Sequence, residues 1–245
     1  MLVRNKKPFS IGAVFAISFL AVLFMIFSPV FRGKNGLQFA DDSFNRLSKG
    51  SSYFIPKVSK NNEKFMGRMF SVSIKADKPD DKPGDAEKRA EMIAKIFTTS
   101  GAKAAVKGTE LAIEGDLGKT LAAALKDSET MFRNDGQQIK ALYGYEDEKK
   151  TFKQWWNALE RINKKFMVEK KLEESKIVSD VMKKAIEPAY NFYKVDGQKV
   201  VEHAGMLSGL LVFYVAYTLW WGYAIFYLFD GLGLTMKKAK VKKEA

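Results

Sequence analysis

The stretch PFSIGAVFAISFLAVLFMIFSPVF, residues Pro8–Phe31, contains no charged side chain. Neither does AGMLSGLLVFYVAYTLWWGYAIFYLF, residues Ala204–Phe229. At ~1.5 Å of rise per residue, a helix of either length crosses a hydrocarbon layer ~30 Å thick. The residues between these runs are densely charged and read as water-soluble. The sequence therefore predicts an α+β membrane protein. Two membrane helices, 8–31 and 204–229, flank a juxtamembrane segment 32–68, an α+β domain 69–145 and a helical stalk 146–203. Basic tails cover 1–7 and 230–245.

Whole-chain averages hide this layout. The mean hydropathy of −0.21 looks soluble only because the apolar residues are gathered into two runs. The chain has no cysteine, which rules out disulfides, thiolate metal sites and a cysteine nucleophile. Its single histidine rules out a multi-histidine metal site within the chain. The net charge of +13 suits anionic lipid headgroups, and two membrane helices make that simpler than a nucleic-acid partner.

Lysine and arginine next to a membrane helix tend to stay in the cytoplasm. Arg4, Lys6 and Lys7 precede the first run, and Lys237, Lys238, Lys240, Lys242 and Lys243 follow the second. The rule places both termini in the cytoplasm and the central body outside it, periplasmic at a bacterial inner membrane. Arg32 and Lys34 pull the other way. The first run exceeds the 7–15 residues of a signal-peptide core and reads as an uncleaved anchor. In the second run, Gly205 and Gly209 form a small-xxx-small pair that lets another helix approach. Tyr217, Trp220 and Trp221 fall inside the span and are expected to face protein, either the first span or another subunit.

In the body, Phe70, Val72 and Ile74 alternate with Ser71, Ser73 and Lys75, which predicts a half-buried strand. Asp85 is read as the cap of a helix with Ala90, Ile93, Ala94 and Phe97 on one face. Runs 102–107 and 110–115 form a hairpin through Gly108-Thr109. Asp116 caps a second helix carrying Leu117, Leu121, Ala124, Leu125 and Met131. Alternating Ile139, Ala141 and Tyr143 suggest a last strand over 138–143, or an extension of that helix. The order βαββαβ predicts a ferredoxin-like sandwich. Beyond it, Phe152, Trp155, Leu159, Ile162 and Phe166 recur every three or four residues, a seam that calls for a partner across the stalk.

Chemistry-bearing residues are few. His203 shares no helix face with an acidic partner and reads as an interfacial residue. Gly115–Thr120 ends like a phosphate loop, but Ile113 holds the place of the first glycine, so the segment reads as a helix start. The acidic turn Asp77–Asp85 lacks calcium-loop spacing. Trp155 and Trp156 beside lysines can stack bases, yet a helix seam and an interface are the commoner outcomes. No catalytic, cofactor or metal residues are assigned.

The sequence thus points to a non-enzymatic assembly or interaction subunit, its partners being the lipid bilayer and other membrane subunits, further copies of itself included. The alternatives are an extracytoplasmic small-ligand module or a chain-length regulator. The layout of two terminal spans, cytoplasmic ends and an α/β body with helices resembles polysaccharide co-polymerases, a likeness of topology without a shared motif.

Overall fold

A computed structural model describes residues 3–234 of the chain, so the basic run Lys237–Lys243 lies outside the described residues. The chain forms two compact units, one from 1–44 with 199–245 and one from Asn45–Gln198. The first holds the long helices α1 (Lys6–Phe27) and α10 (Ala204–Gly231). The helix α2 (Gly36–Ser51) runs from the first unit into the second.

The second unit is built on a three-stranded antiparallel sheet of order β1-β3-β2. In β1 (Met69–Lys75) the expected alternation is observed: Phe70, Val72 and Ile74 are buried while the residues between them are exposed. The strands β2 (Lys103–Lys107) and β3 (Glu110–Asp116) form the expected hairpin, with Lys107 opposite Glu110 and Gly108 at φ +61°. A positive φ at the first of two turn residues is strain-free only for glycine.

Helix α4 (Asp85–Thr99) begins one residue earlier than its reading implied. Gly84, at φ +84°, occupies the cap position, and Asp85 stands in the first turn, where a carboxylate favours the helix dipole. The acidic turn before it is closed by an arginine. Arg89 grips both oxygens of Asp81 and also donates to the Ala76 carbonyl. The guanidinium holds the Asp81 carboxyl down at about 2. Helix α5 (Leu117–Phe132) starts as expected: Asp116 accepts from Lys119 N at 3.0 Å and from Gly67 N at 2.8 Å. A Cβ on Gly118 would lie 2.5 Å from Met66 N, so protein backbone fills the space a phosphate would need.

The expected last strand is a helix, α6 (Gly136–Tyr143), closed by Gly144 at φ +69°. Ile139 and Tyr143 are buried and lie one turn apart, a spacing that strand alternation also generates. With no fourth strand among the described residues, the order βαββαβ expected of a ferredoxin-like sandwich is not completed.

The stalk reading also gives way. Helix α7 (Glu148–Val168) turns its seam onto its own domain: Phe152, Trp155, Leu159, Ile162 and Phe166 are each at most 1 % exposed. Trp155 lies 5.3 Å from the Phe97 ring of α4, and Phe166 meets Phe70 of β1 edge-on at 6.3 Å. The partner that the seam called for is the sheet-and-helix layer upstream, and one hydrophobic core runs from Ile55 to Ala189. Helix α3 (Ile55–Asn62), with Pro56 in its first turn, joins it with Ile55 and Val58. After α8 (Leu172–Val181) the helix widens into a π-turn, Met182–Ile186, before α9 (Glu187–Asn191). Pro188 has no N–H for the preceding turn, and the π-turn absorbs that break without exposing Ala185 or Ile186.

The core encloses one acid. Asp127 of α5 is 4 % exposed, and its Oδ2 accepts from the Tyr143 hydroxyl at 2.5 Å and from Trp155 Nε1 at 2.7 Å. Three helices are thereby pinned at one atom. Burial holds the Asp127 carboxyl above the usual carboxylate range, against the two hydrogen bonds that favour its charged form.

Asp127→Ala leaves a buried hydroxyl and a buried indole N–H without acceptors. Urea unfolding should show a loss of ~3 kcal/mol, at ~1–3 kcal/mol per orphaned group. The raised pKa gives a second check. Asp127 favours the folded state below its unfolded value of 3.8, and that contribution fades as pH rises through the higher folded value. Asp127→Asn lacks this term, so its stability relative to the wild type should rise with pH above 3.8. A flat or falling difference would contradict the assignment.

Candidate functional site

The feature most in need of a functional explanation is the surface of the α1–α10 pair. The two helices run antiparallel. Gly12 of α1 lies against Tyr227 and Leu228 of α10, and Gly231 lies against Phe9. A Cβ on either glycine would sit 2.6 Å from backbone of the other helix, so both positions require the smallest residue. Between them the joint is aromatic: Phe19, 9 % exposed, stacks on Tyr217 at 4.1 Å and meets Trp221 at a tilt, 4.6 Å away. At the open end, Arg4 N and Asn5 N both donate to Gly231 O at 2.9 Å, and Asn5 Nδ2 donates to Asp230 O at 3.1 Å. This end carries Arg4, Lys6 and Lys7.

Outward, the pair is apolar on every side. Val14, Ile17, Phe24, Leu211, Val212 and Tyr214 are each more than 60 % exposed. Only 6 % of the apolar window of each helix is buried, which separates them from the core helices of a water-soluble domain. A helix of 22 residues is ~33 Å long and one of 28 is ~42 Å. Two hydroxyls are satisfied on their own helices: Ser18 donates to Val14 O at 2.7 Å and Thr218 to Tyr214 O at 2.8 Å. That self-sufficiency is what a solvent without hydrogen-bonding capacity demands.

The residues singled out for helix packing divide. Tyr217 and Trp221 meet α1 through Phe19. Trp220 is part-buried, and its Nε1, like the Tyr217 hydroxyl, is enclosed without a partner. Gly205 and Gly209 stand apart from the joint, with open space where a Cβ would be. The glycines that pack, Gly12 and Gly231, are separated by almost the whole chain, so no local spacing marks them.

In the second unit, Trp156 and Tyr190 flank a notch of about 190 Å³ with Ile186 and Lys153. Lys149 Nζ lies 4.4 Å above the Tyr190 ring. The notch is smaller than the ~300–1,000 Å³ typical of ligand pockets. An open groove of about 560 Å³ runs between α3 and α5.

Two buried ionisable residues escaped the sequence reading. Asp127 sits on the apolar stripe of α5 with Ala124 and Met131, and an acid on such a stripe is the signal that marks it. Lys49, 3 % exposed, donates to Asn134 Oδ1, Phe192 O and Val195 O at 2.6–3.1 Å. Burial pushes its ammonium below the usual lysine range. All three donors are used on loop and helix-end acceptors, so Lys49 fastens a chain reversal. His203 Nδ1 is 3.2 Å from Lys199 O. Among the described residues, no group of three or more histidines and acids is placed to hold a metal.

Comparison with protein-family models, curated proteins and solved structures finds no match for this chain. The glycine contacts provide a direct test of the helix pair. Gly12→Leu or Gly231→Leu should lower the unfolding free energy in detergent by ~1–3 kcal/mol, the usual cost of overpacking. Gly205→Leu and Gly209→Leu should change the stability of the isolated chain by less than ~0.5 kcal/mol.

Proposed function

We propose that this chain is a non-enzymatic, bilayer-anchored subunit that carries an α+β body for assembly with other membrane subunits. The observation that carries the reading is the α1–α10 pair: long, without charge from Pro8 to Phe27 and from Ala204 to Phe229, aromatically joined and apolar on its outer surface. At ~25 cal/mol per Å² of apolar area, leaving such a surface in water is strongly unfavourable, and acyl chains remove the cost. The placement of Arg4, Lys6 and Lys7 at one end of the pair supports a cytoplasmic N-terminus. An antiparallel pair then brings the C-terminus to the same side and the body to the other face, periplasmic if the membrane is a bacterial inner one.

The self-contained core of the body supports an interaction role over an independent stalk. The small size of the aromatic notch favours assembly over a dedicated small-ligand module. Chain-length regulation is a further reading that the two-legged layout supports.

Full-length protein should stay in the membrane pellet after alkaline carbonate washing, and release into the supernatant would overturn the anchor. Because the chain has no cysteine, single introduced thiols report sidedness. Lys107→Cys should react with an impermeant maleimide in intact cells, and Lys6→Cys only after permeabilisation. The reverse pattern would invert the orientation while keeping the anchor. Mild-detergent purification should recover the chain at more than its monomer mass, alone or with partners. A lone monomer would remove the assembly role.

A further inference from the structure

The sheet of the second unit has two edges, and they are built differently. Strand β2 is five residues long with Lys103 and Lys107 at its ends, the usual protection of an edge against pairing. Strand β1 is seven residues long, and from Met69 to Ile74 it has no charge, proline or bulge. The register shows which backbone groups lie on its outer side. Ala76 N donates to Thr109 O, and Leu117 N donates to Arg68 O, so even-numbered residues of β1 bond to β3. The N–H and C=O groups of Met69, Ser71, Ser73 and Lys75 therefore point away from the sheet. Among the described residues no strand pairs with them and no other backbone group bonds to them. This is the side on which a fourth strand would complete a βαββαβ sheet, and the segment expected to supply it is helix α6.

The sequence of this edge is nearly symmetric about Val72: Met69-Phe70-Ser71-Val72-Ser73-Ile74-Lys75. Two copies placed antiparallel across a two-fold axis at Val72 match at every position. Ser71 of one copy faces Ser73 of the other, and Met69 faces Lys75, so each outward donor meets an outward acceptor. On the core face, Val72 meets Val72 and Phe70 meets Ile74. Met69, 67 % exposed in the single chain, gains cover from the lysine stem. A two-fold contact requires such self-complementarity, and an edge made for a foreign strand does not.

We infer that β1 is a self-association edge, at which two copies join their sheets into one six-stranded sheet of order β2-β3-β1-β1-β3-β2. The inference rests on the reading of the chain as an assembly subunit and names its partner as a second copy. Its test reads oligomeric state and register, whereas the anchor is read by membrane extraction, so the two can fail separately.

Full-length protein in detergent should show by light scattering twice the chain mass of 27.7 kDa. Ser73→Pro removes an outward donor while sparing the bonds to β3, and should yield a monomer with unchanged helical circular dichroism. Val106→Pro, on the outer side of β2, should leave the dimer intact. Register is read separately in the otherwise cysteine-free chain. Mild oxidation should cross-link Ser71→Cys/Ser73→Cys into covalent dimers, and neither single variant should cross-link efficiently. A monomeric wild-type chain, a Ser73→Pro variant that remains dimeric, or the absence of cross-linking in the double variant would overturn the inference, whether the edge then binds another protein's strand or none.

Discussion

The contact on which the first unit turns is that of Phe19 with Tyr217 and Trp221. It joins two helices whose sequence separation is nearly the whole chain. Loop closure over such a distance carries an entropic cost that a single contact does not offset. The joint is therefore extended: backbone closes onto Gly12 and Gly231, and the α1 start is tied to the α10 end through Arg4 N and Asn5 N. Once Phe19, Tyr217 and the packing glycines Gly12 and Gly231 are turned inward, the remaining apolar side chains have only the outside left. An apolar outer surface follows from the same packing that makes the joint.

The second unit solves a different problem. Its sheet is too small to cover its own helices, and α7 completes the enclosure. Apolar contacts alone would leave the register of α5, α6 and α7 loosely defined. Asp127 fixes it, since one carboxylate oxygen receives a hydroxyl and an indole from two other helices. A buried acid with two directional donors contributes specificity even where its desolvation is costly. Lys49 performs a similar service at the surface end of the core, where its ammonium gathers three oxygens from a chain reversal.

Much of this was readable from residue order, and the limits have physical causes. Strand β1, the Gly108 hairpin and the Asp116 cap are local features, and each formed as its residues imply. The segment 138–143 misled because Ile139 and Tyr143 satisfy two periods at once. The α7 seam was correctly seen as a surface seeking cover, but periodicity does not say whether the cover comes from another chain or from the same one. Trp155 and Phe166 find it at Phe97 and Phe70, far upstream. The glycines of the α1–α10 joint went unread for a related reason. Gly205 and Gly209 carry a local motif, whereas Gly12 and Gly231 carry none and are chosen by a long-range pairing.

What the account needs above all is evidence that the α1–α10 surface is in contact with acyl chains. Tryptophan fluorescence of the reconstituted full-length chain, in vesicles whose lipids carry bromine along the acyl chain, measures this. The account predicts that part of the emission is quenched, and that the quenching disappears when Trp220 and Trp221 are replaced by phenylalanine, because the two remaining tryptophans, Trp155 and Trp156, belong to the body. Emission unaffected by brominated lipid, or quenching that survives the double replacement, would contradict it.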